Sequence, residues 1–179
     1  MKNKNKVFIA TSLDGFIADK DGGIDWLHSI PNPDNNDMGY GEFMSGVDAL
    51  VMGRTTFETV CGFDIDWPYR KPVFVLSNSL TSVPQEYKKK ANLVKGKLKE
   101  VIKQIHEKGF YNLYIDGGQT IQSFLKEDLI DEITITIIPY LLGGGVPLFA
   151  NLSERLEFEC ADSKIYLEQV VQNRFMRKR

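Results

Sequence analysis

Cysteine and histidine are scarce in this chain of 179 residues, and their scarcity excludes several kinds of site. The two cysteines, Cys61 and Cys160, make up neither a disulfide framework nor a metal cluster. Because only His28 and His106 could join them as ligands, the sequence argues against a zinc site. We therefore predict a protein without a structural or catalytic metal.

Neither an excess of positive charge nor a long apolar run is present. The 22 Lys and Arg residues against 24 Asp and Glu residues give a net charge of −2, which implies no broad basic field for nucleic acid. The basic runs at residues 2–6, 88–90 and 177–179 are interpreted as solvated ends and loops. No apolar run approaches the roughly 18–20 residues that span a bilayer, and the apolar stretch after residue 6 is interrupted at Asp14, unlike a signal peptide. We expect a cytoplasmic protein with a small-molecule partner, and no nucleic-acid or membrane partner.

Strand-like and helix-like segments alternate along the chain. Apolar runs at residues 7–11, 49–52, 73–76 and 113–115 predict buried strands, and Leu98, Val101, Ile102 and Ile105 have helical spacing. A short helix is expected from a cap at residues 34–36 to about residue 45. Alternating apolar residues after residue 156 predict a closing hairpin with its turn at residues 162–164. The pattern indicates one α/β domain over residues 1–179, with an open, mainly parallel sheet, helices on both faces and a C-terminal antiparallel hairpin.

Small or polar residues follow three of the predicted strands. The segments are Gly53-Arg54-Thr55, Ser77-Asn78 and Gly117-Gly118-Gln119-Thr120. Ligands of parallel sheets bind beyond the carboxyl ends of the strands. Two of these segments are strand-to-helix turns, where free backbone N–H groups attract phosphate, and Arg54 adds a charged fork suited to a phosphate monoester. The sequence therefore predicts a nucleotide-type ligand.

Five motifs occur in the order of a known family. They are Ser12-Leu13-Asp14-Gly15, Met52-Gly53-Arg54-Thr55-Thr56, Leu76-Ser77, Asp116-Gly117-Gly118, and Asp131-Glu132 leading to Pro139-Tyr140-Leu141-Leu142-Gly143-Gly144-Gly145. With them the chain resembles the dihydrofolate reductase-like superfamily. The nearest branch is the C-terminal reductase domain of the bifunctional riboflavin-biosynthesis deaminase/reductase, with its stand-alone relatives. The resemblance implies a dihydrofolate reductase-like fold with a central mixed eight-stranded sheet that binds NADPH.

The resemblance also implies which residues meet the cofactor. The implied contacts are Gly53, Arg54 and Thr55 for phosphates; Leu76, Ser77 and Asn78 for the adenosine side, where a 2′-phosphate separates NADPH from NADH; Gly117, Gly118, Gln119 and Thr120 for the pyrophosphate; and Ala10 and Ile17 for the nicotinamide. Adjacent glycines permit close backbone approach, and helix N-termini favour anions, so the residues themselves suit most of these roles.

The substrate side departs from the riboflavin reductases. They usually carry a Lys after the first Asp-Gly and a Glu before the paired glycines, where this chain has Phe16 and Asp116. The zinc motif of the deaminase half is absent, which excludes deamination. The leading hypothesis is an NADPH-dependent reductase acting on a C=N or C=O group, resembling 5-amino-6-(5-phosphoribosylamino)uracil reductase. The alternatives are a dihydrofolate or pterin reductase, a non-catalytic NADPH-binding module, and an unrelated flavodoxin-like domain that binds flavin.

Two carboxylates are candidate catalytic groups. Asp14 follows a strand beside a glycine-hinged loop, and its other role would be to cap that loop. Asp116 is the second candidate, and it could instead bond the adjoining turn. Further residues are candidates for substrate binding, as carboxylates or as walls for a flat heterocycle: Trp26, Asp37, Tyr40, Glu42 and Phe43. Asp37 and Glu42 could instead be solvated helix residues without a role in binding, and Trp26 could instead be a residue of the hydrophobic core. The resemblance also makes a homodimer plausible, with packing near residues 143–149.

Overall fold

Apolar segments form the centre of an eight-stranded sheet in the computed structural model, which describes residues 3–179. The strands are β1 (Lys4–Ser12), β2 (Phe16–Ala18), β3 (Ala49–Gly53), β4 (Val73–Leu76), β5 (Ala91–Val94), β6 (Asn112–Asp116), β7 (Glu132–Ile138), β8 (Val146–Pro147), β9 (Phe158–Tyr166) and β10 (Val170–Arg177). The α-helices are α1 (Tyr40–Ser45), α2 (Arg54–Cys61), α3 (Leu98–Glu107) and α4 (Gly118–Lys126).

The sheet is mixed but mainly parallel. Its order is β5-β4-β3-β6-β1-β7-β10-β9. The strands from β5 to β7 pair in parallel, and β10 and β9 add an antiparallel hairpin at one edge. The two short strands β2 and β8 form a separate antiparallel pair. The predicted sheet and C-terminal hairpin are therefore confirmed.

Helices cover both faces of the sheet. On one face, Val101 of α3 and Phe124 of α4 are fully buried against strand residues such as Val51. On the other face, Phe57 of α2 packs into a second core that also holds Met52. Alternate residues of each central strand thus enter different cores, as a sheet covered on both sides requires. Among residues 3–179, no helix is both long and apolar enough to cross a bilayer.

Two local predictions are wrong, and backbone conformation explains both. Residues 162–164 lie inside β9, and the hairpin turns instead at Leu167 and Glu168, whose φ angles are 50° and 63°. Neither residue belongs to the types that favour the left-handed region. Helix α1 begins at Tyr40 because Met38 and Gly39 have φ angles of 52° and 84°, which interrupt a helix.

Strands β1 and β6 pair over only part of their length. Their register runs from Lys4 opposite Asn112 to Lys6 opposite Tyr114, after which β1 continues beside β7 alone. Toward their carboxyl ends the two strands therefore diverge and leave a gap in the middle of the sheet. This gap (hereafter the β1/β6 gap) opens at the edge where parallel sheets bind ligands.

Candidate functional site

Two helix N-termini meet at the carboxyl edge of the sheet. Met52 of β3 pairs with Asp116 of β6, so the helices that follow, α2 and α4, start side by side. Neither start is capped by a side chain. The first backbone N–H groups of both helices consequently lack a side-chain acceptor, which is the arrangement that binds anions.

Glycines allow these two helix starts to approach each other. A Cβ atom at Gly53 would lie 2.9 Å from Oγ1 of Thr120, and one at Gly117 would collide with the hydroxyl of Thr56. Gly117 also has a φ angle of 88°, which side chains rarely adopt. Both glycines are therefore required by the turns, and they leave the backbone open to a phosphate group.

Arg54 stands at the start of α2 but is held by a neighbour. Its guanidinium is 3.6 Å from the carboxylate of Glu58, one helical turn on, and about half of its side chain is exposed. An exposed pair of this kind contributes little to stability. Arg54 can therefore exchange Glu58 for a phosphate at low cost. Thr55 and Gln119 are exposed beside it.

The segment after β4 forms a tight turn beside the α2 start. The hydroxyl of Ser77 is buried and accepts the backbone N–H of Leu80 at 3.0 Å. Asn78 is exposed, and its side-chain oxygen is 3.4 Å from the N–H of Gly96. Leu76 packs against the core. The buried hydroxyl of Ser77 thus shapes the turn, and Asn78 is the member of this segment that solvent and ligands reach.

The short β2–β8 pair lies over the start of α4. A Cβ atom at Gly118 would be 2.7 Å from Cδ1 of Ile17, so Ile17 sits directly on the paired glycines. Ala10 lies on β1 beyond the point of divergence from β6, opposite Thr136 of β7. The two residues implied for the nicotinamide thus border the same edge as the helix starts.

Asp116 ends β6 on the face covered by α1 and α2. Burial raises the pKa of its carboxyl to about 6, although the N–H of Gly117 favours the charged form. Burial, followed by the charge of Asp116, raises the pKa of Tyr40 and Tyr69. One carboxyl group and three phenols (hereafter the Asp116 cluster: Tyr40, Tyr69, Tyr114 and Asp116) therefore interact at the β1/β6 gap.

Sequence reasoning missed two members of this cluster. Tyr114 precedes Asp116 by two residues in a strand and so shares its face, a signal that was present in the sequence. Tyr69 lies in an irregular aromatic loop whose path no local pattern specifies. Of the predicted wall residues, Tyr40 belongs to the cluster, and Phe43 packs between Phe8 and Tyr114 at centroid distances of 4.9 and 5.1 Å.

Asp14 makes the contacts of its loop-capping alternative. Its carboxylate accepts the hydroxyl of Ser12 at 2.6 Å and the backbone N–H groups of Leu142 and Gly143 at 3.1 and 2.8 Å. These bonds join the loop after β1 to the loop after β7. Both of its oxygens therefore already accept hydrogen bonds from the protein. A catalytic role for Asp14 stays a prediction.

The other carboxylate candidates are not among the groups that shift the pKa of Asp116. Asp37 accepts the N–H groups of Gly39 and Gly41 at 2.9 Å each, which caps the turn into α1. Glu42 is exposed and lines a polar cavity.

The remaining wall candidate, Trp26, packs with Ile30, and its buried indole N–H has no hydrogen-bond partner among the described residues.

The fold and the site together define a domain of the dihydrofolate reductase-like class. The model of the RibD C-terminal domain matches residues 6–172, and the chain belongs to that family. A crystal structure from Shewanella sp. PV-4, provisionally described as that of a riboflavin biosynthesis protein, is 60% identical with a TM-score of 0.96. That comparison covers 98% of this chain and 99% of the other.

More distant structures share the fold. The diaminohydroxyphosphoribosylaminopyrimidine deaminase/5-amino-6-(5-phosphoribosylamino)uracil reductase of Thermotoga maritima has a TM-score of 0.77 at 13% identity, over 99% of this chain and 57% of that one. A dihydrofolate reductase from Enterococcus faecalis, complexed with NADP(H), has a TM-score of 0.66 at 14% identity, over 98% and 97% of the two chains. The predicted superfamily and fold are thus confirmed, and the family is one of reductase domains.

Proposed function

We propose that this protein is an NADPH-dependent reductase that delivers a hydride to a C=N or C=O carbon of a small heterocyclic substrate. The observation that carries the proposal is the position of Asp116. A carboxyl group with a pKa of about 6 stands beside the β1/β6 gap, next to two uncapped helix N-termini. An acid that titrates close to neutral pH can hold or donate a proton to a substrate there.

The open glycine turns fit a dinucleotide at this edge. When bound, NADPH supplies the hydride. The N–H groups after Gly53 and Gly117 would bind its phosphates, and Arg54 would supply the charge for a monoester phosphate. Ala10 and Ile17 would border the nicotinamide, which orients the hydride toward the β1/β6 gap.

The substrate would lie on the α1 side of the gap. Tyr40 and Phe43 offer aromatic surfaces for a flat heterocycle, and Asp116 offers a carboxyl that can both donate and accept hydrogen bonds. The first candidate substrate is the phosphoribosylaminouracil type. Phe16, in the position where the resemblance implies a Lys, gives no charge to a substrate phosphate. A dihydrofolate or pterin is therefore the second candidate.

Titration calorimetry with NADPH and with NADH tests the cofactor. We expect measurable binding that favours NADPH, and failure of both to bind would contradict the proposal. Turnover is then followed as loss of NADPH absorbance with the uracil substrate and with dihydrofolate. Asp116→Asn should lower turnover by about 10²-fold, as loss of a general acid does, while NADPH binding is kept. Asp64→Asn, in an exposed loop, is the matched control.

A non-catalytic NADPH-binding module is the second candidate function. It shares the uncapped helix starts and differs only in the absence of turnover. Tight NADPH binding without oxidation by any pterin, pyrimidine or simple imine would favour it. Yellow protein with bound flavin would instead point to a flavin site.

A homodimer and a cytoplasmic location also remain proposals. The face of the sheet at β7 and β10 has an apolar groove of about 430 Å³, and Phe149 beside it is 51% exposed. A second copy of the chain would bury this apolar surface. Phe149 also belongs to residues 143–149, where the resemblance implies packing between subunits. Light scattering after size exclusion tests the dimer. Phe149→Glu should shift a dimer toward monomer, and a wild-type monomer would contradict the proposal.

A further inference from the structure

Five cationic side chains line one groove at the edge of the sheet opposite the two uncapped helix N-termini, and Tyr69 of the Asp116 cluster also lines it. The groove has a volume of about 410 Å³ and lies where β4 and β5 begin, beside the end of α3. Its cations are Arg70, Lys71, Lys89, Lys90 and Lys108, and among residues 3–179 no Asp or Glu lines it. The chain as a whole carries a net charge of −2, so this concentration of positive charge is local.

These cations lack ion-pair partners. Within residues 3–179, none of the five has a carboxylate oxygen within 4.0 Å. Asp48 attracts Lys71 from a greater distance, but its carboxylate already accepts the N–H groups of Tyr111 and Asn112. Like charges held together repel one another, and a bound anion would relieve that repulsion.

Aromatic rings support two of the ammonium groups. Nζ of Lys90 lies 5.9 Å from the centre of the Tyr87 ring, and Nζ of Lys108 lies 5.8 Å from that of Phe74. A cation on a ring face is attracted to it without losing its charge. The rings therefore favour a fixed position for each ammonium group and leave its N–H donors free for an acceptor.

We propose that this groove binds a small polyphosphorylated anion. Five cations from three separate segments converge on one cavity, and several charges on a compact ligand can meet them together. Phosphate oxygens are strong acceptors for both guanidinium and ammonium groups. The basic surface is one short groove and not a stripe across the molecule, which favours a small ligand over a nucleic-acid strand.

The proposal is independent of the reductase function and is tested with inorganic tripolyphosphate. Calorimetric titration compares the wild type with the triple variant Lys89→Ala, Lys90→Ala and Lys108→Ala. The control is Lys88→Ala, Lys103→Ala and Lys126→Ala, which removes the same charge from exposed lysines outside the groove. We expect the groove variant to bind roughly tenfold or more weakly, and the control to stay within about twofold of the wild type.

Two further titrations locate the binding. Tripolyphosphate should still bind in the presence of saturating NADPH, because the groove is at the opposite edge from the helix N-termini. Loss of binding under NADPH would assign the anion to that edge and overturn the proposal. Equal weakening in both triple variants, or binding of a single-stranded oligonucleotide without binding of tripolyphosphate, would overturn it as well.

Discussion

The hydroxyl of Tyr114 donates a hydrogen bond to the backbone carbonyl of Phe8, 2.9 Å away, across the β1/β6 gap. The bond replaces a backbone bond that the diverging strands do not form at this point. Tyr114 is almost fully buried. One side chain thus bridges the gap beside the carboxyl group of Asp116.

Replacement of Tyr114 by Phe removes this bridge. Because the carbonyl of Phe8 would lose its partner in a partly buried setting, we expect the free energy of unfolding to fall by about 1–2 kcal/mol. Urea unfolding measures this effect. Tyr111→Phe, at an exposed tyrosine, should not change the free energy of unfolding.

The partly buried Asp116 makes stability depend on pH. Its folded pKa of about 6 is above the ordinary value of 3.8, so the folded state binds the proton more tightly than the unfolded state. Stability therefore falls as pH rises from about 4 to about 6, and the cost above that range is at most about 3 kcal/mol. Asp116→Asn should be more stable than the wild type at pH 8 and lose that advantage near pH 4.

Urea unfolding of both proteins across this range measures the difference. A constant difference in unfolding free energy between wild type and variant would show that Asp116 has an ordinary pKa. The same result would remove the basis for its proposed role as an acid.

The layout of the sheet was predictable because burial leaves a simple trace in the sequence. Parallel strands covered on both faces appear as short apolar runs, and the glycine turns after them mark the ligand edge. The positions of Gly53 and Gly117 could thus be inferred from chain order alone. The turn at Leu167 could not, because a left-handed backbone at such a residue is set by the pairing of β9 with β10.

The roles of individual carboxylates were less predictable than the position of the ligand-binding edge of the sheet. Asp14, Asp37 and Asp116 all follow strands or precede helices, and the sequence placed Asp14 ahead of Asp116 as the catalytic candidate. Tertiary contacts distinguish their roles. Asp14 and Asp37 accept backbone N–H groups of nearby loops, whereas burial raises the pKa of Asp116. Tyr69 enters the cluster through a loop whose course depends on packing of the whole domain.

Close packing of the helix starts predicts a specific cost at Gly117. Gly117→Ala adds a Cβ that collides with Thr56 at a φ of 88°, so we expect a loss of about 2–4 kcal/mol in unfolding free energy. Gly109→Ala is the matched control, because Gly109 has a φ of 89° and open space around it. Its cost should be limited to about 1–2 kcal/mol of backbone strain. Equal costs measured by urea unfolding would show that contact with Thr56 contributes nothing.

The exposed Arg54 predicts cofactor preference. Arg54→Ala should weaken NADPH binding by about 1–3 kcal/mol and NADH binding by less, because only NADPH carries the 2′-phosphate. Glu58→Gln should act in the opposite direction, since it releases Arg54 from its ion pair. Calorimetry with both cofactors measures each effect. Equal weakening of the two cofactors by Arg54→Ala would remove Arg54 from the 2′-phosphate site.

Asp14 joins two loops at the ligand edge, and its substitution should loosen the second loop. In Asp14→Asn an amide replaces one acceptor, so we expect faster hydrogen exchange at the N–H groups of Leu142 and Gly143. Asp19→Asn is the matched control, because the carboxylate of Asp19 accepts the N–H groups of Asp21 and Gly23 within its own loop. NMR-detected exchange measures both variants.

The pH dependence of this contact has a defined sign. The hydroxyl of Ser12, opposed by burial and assisted by the N–H groups of Gly143 and Leu142, holds the pKa of Asp14 below 3.8. The contact should therefore persist at neutral pH and weaken only as pH falls below about 4 through that lowered pKa. Loss of protection at residues 142 and 143 already at pH 6 in the wild type would contradict the lowered pKa. Equal protection of these N–H groups in Asp14→Asn and in the wild type would show that other contacts hold the loop.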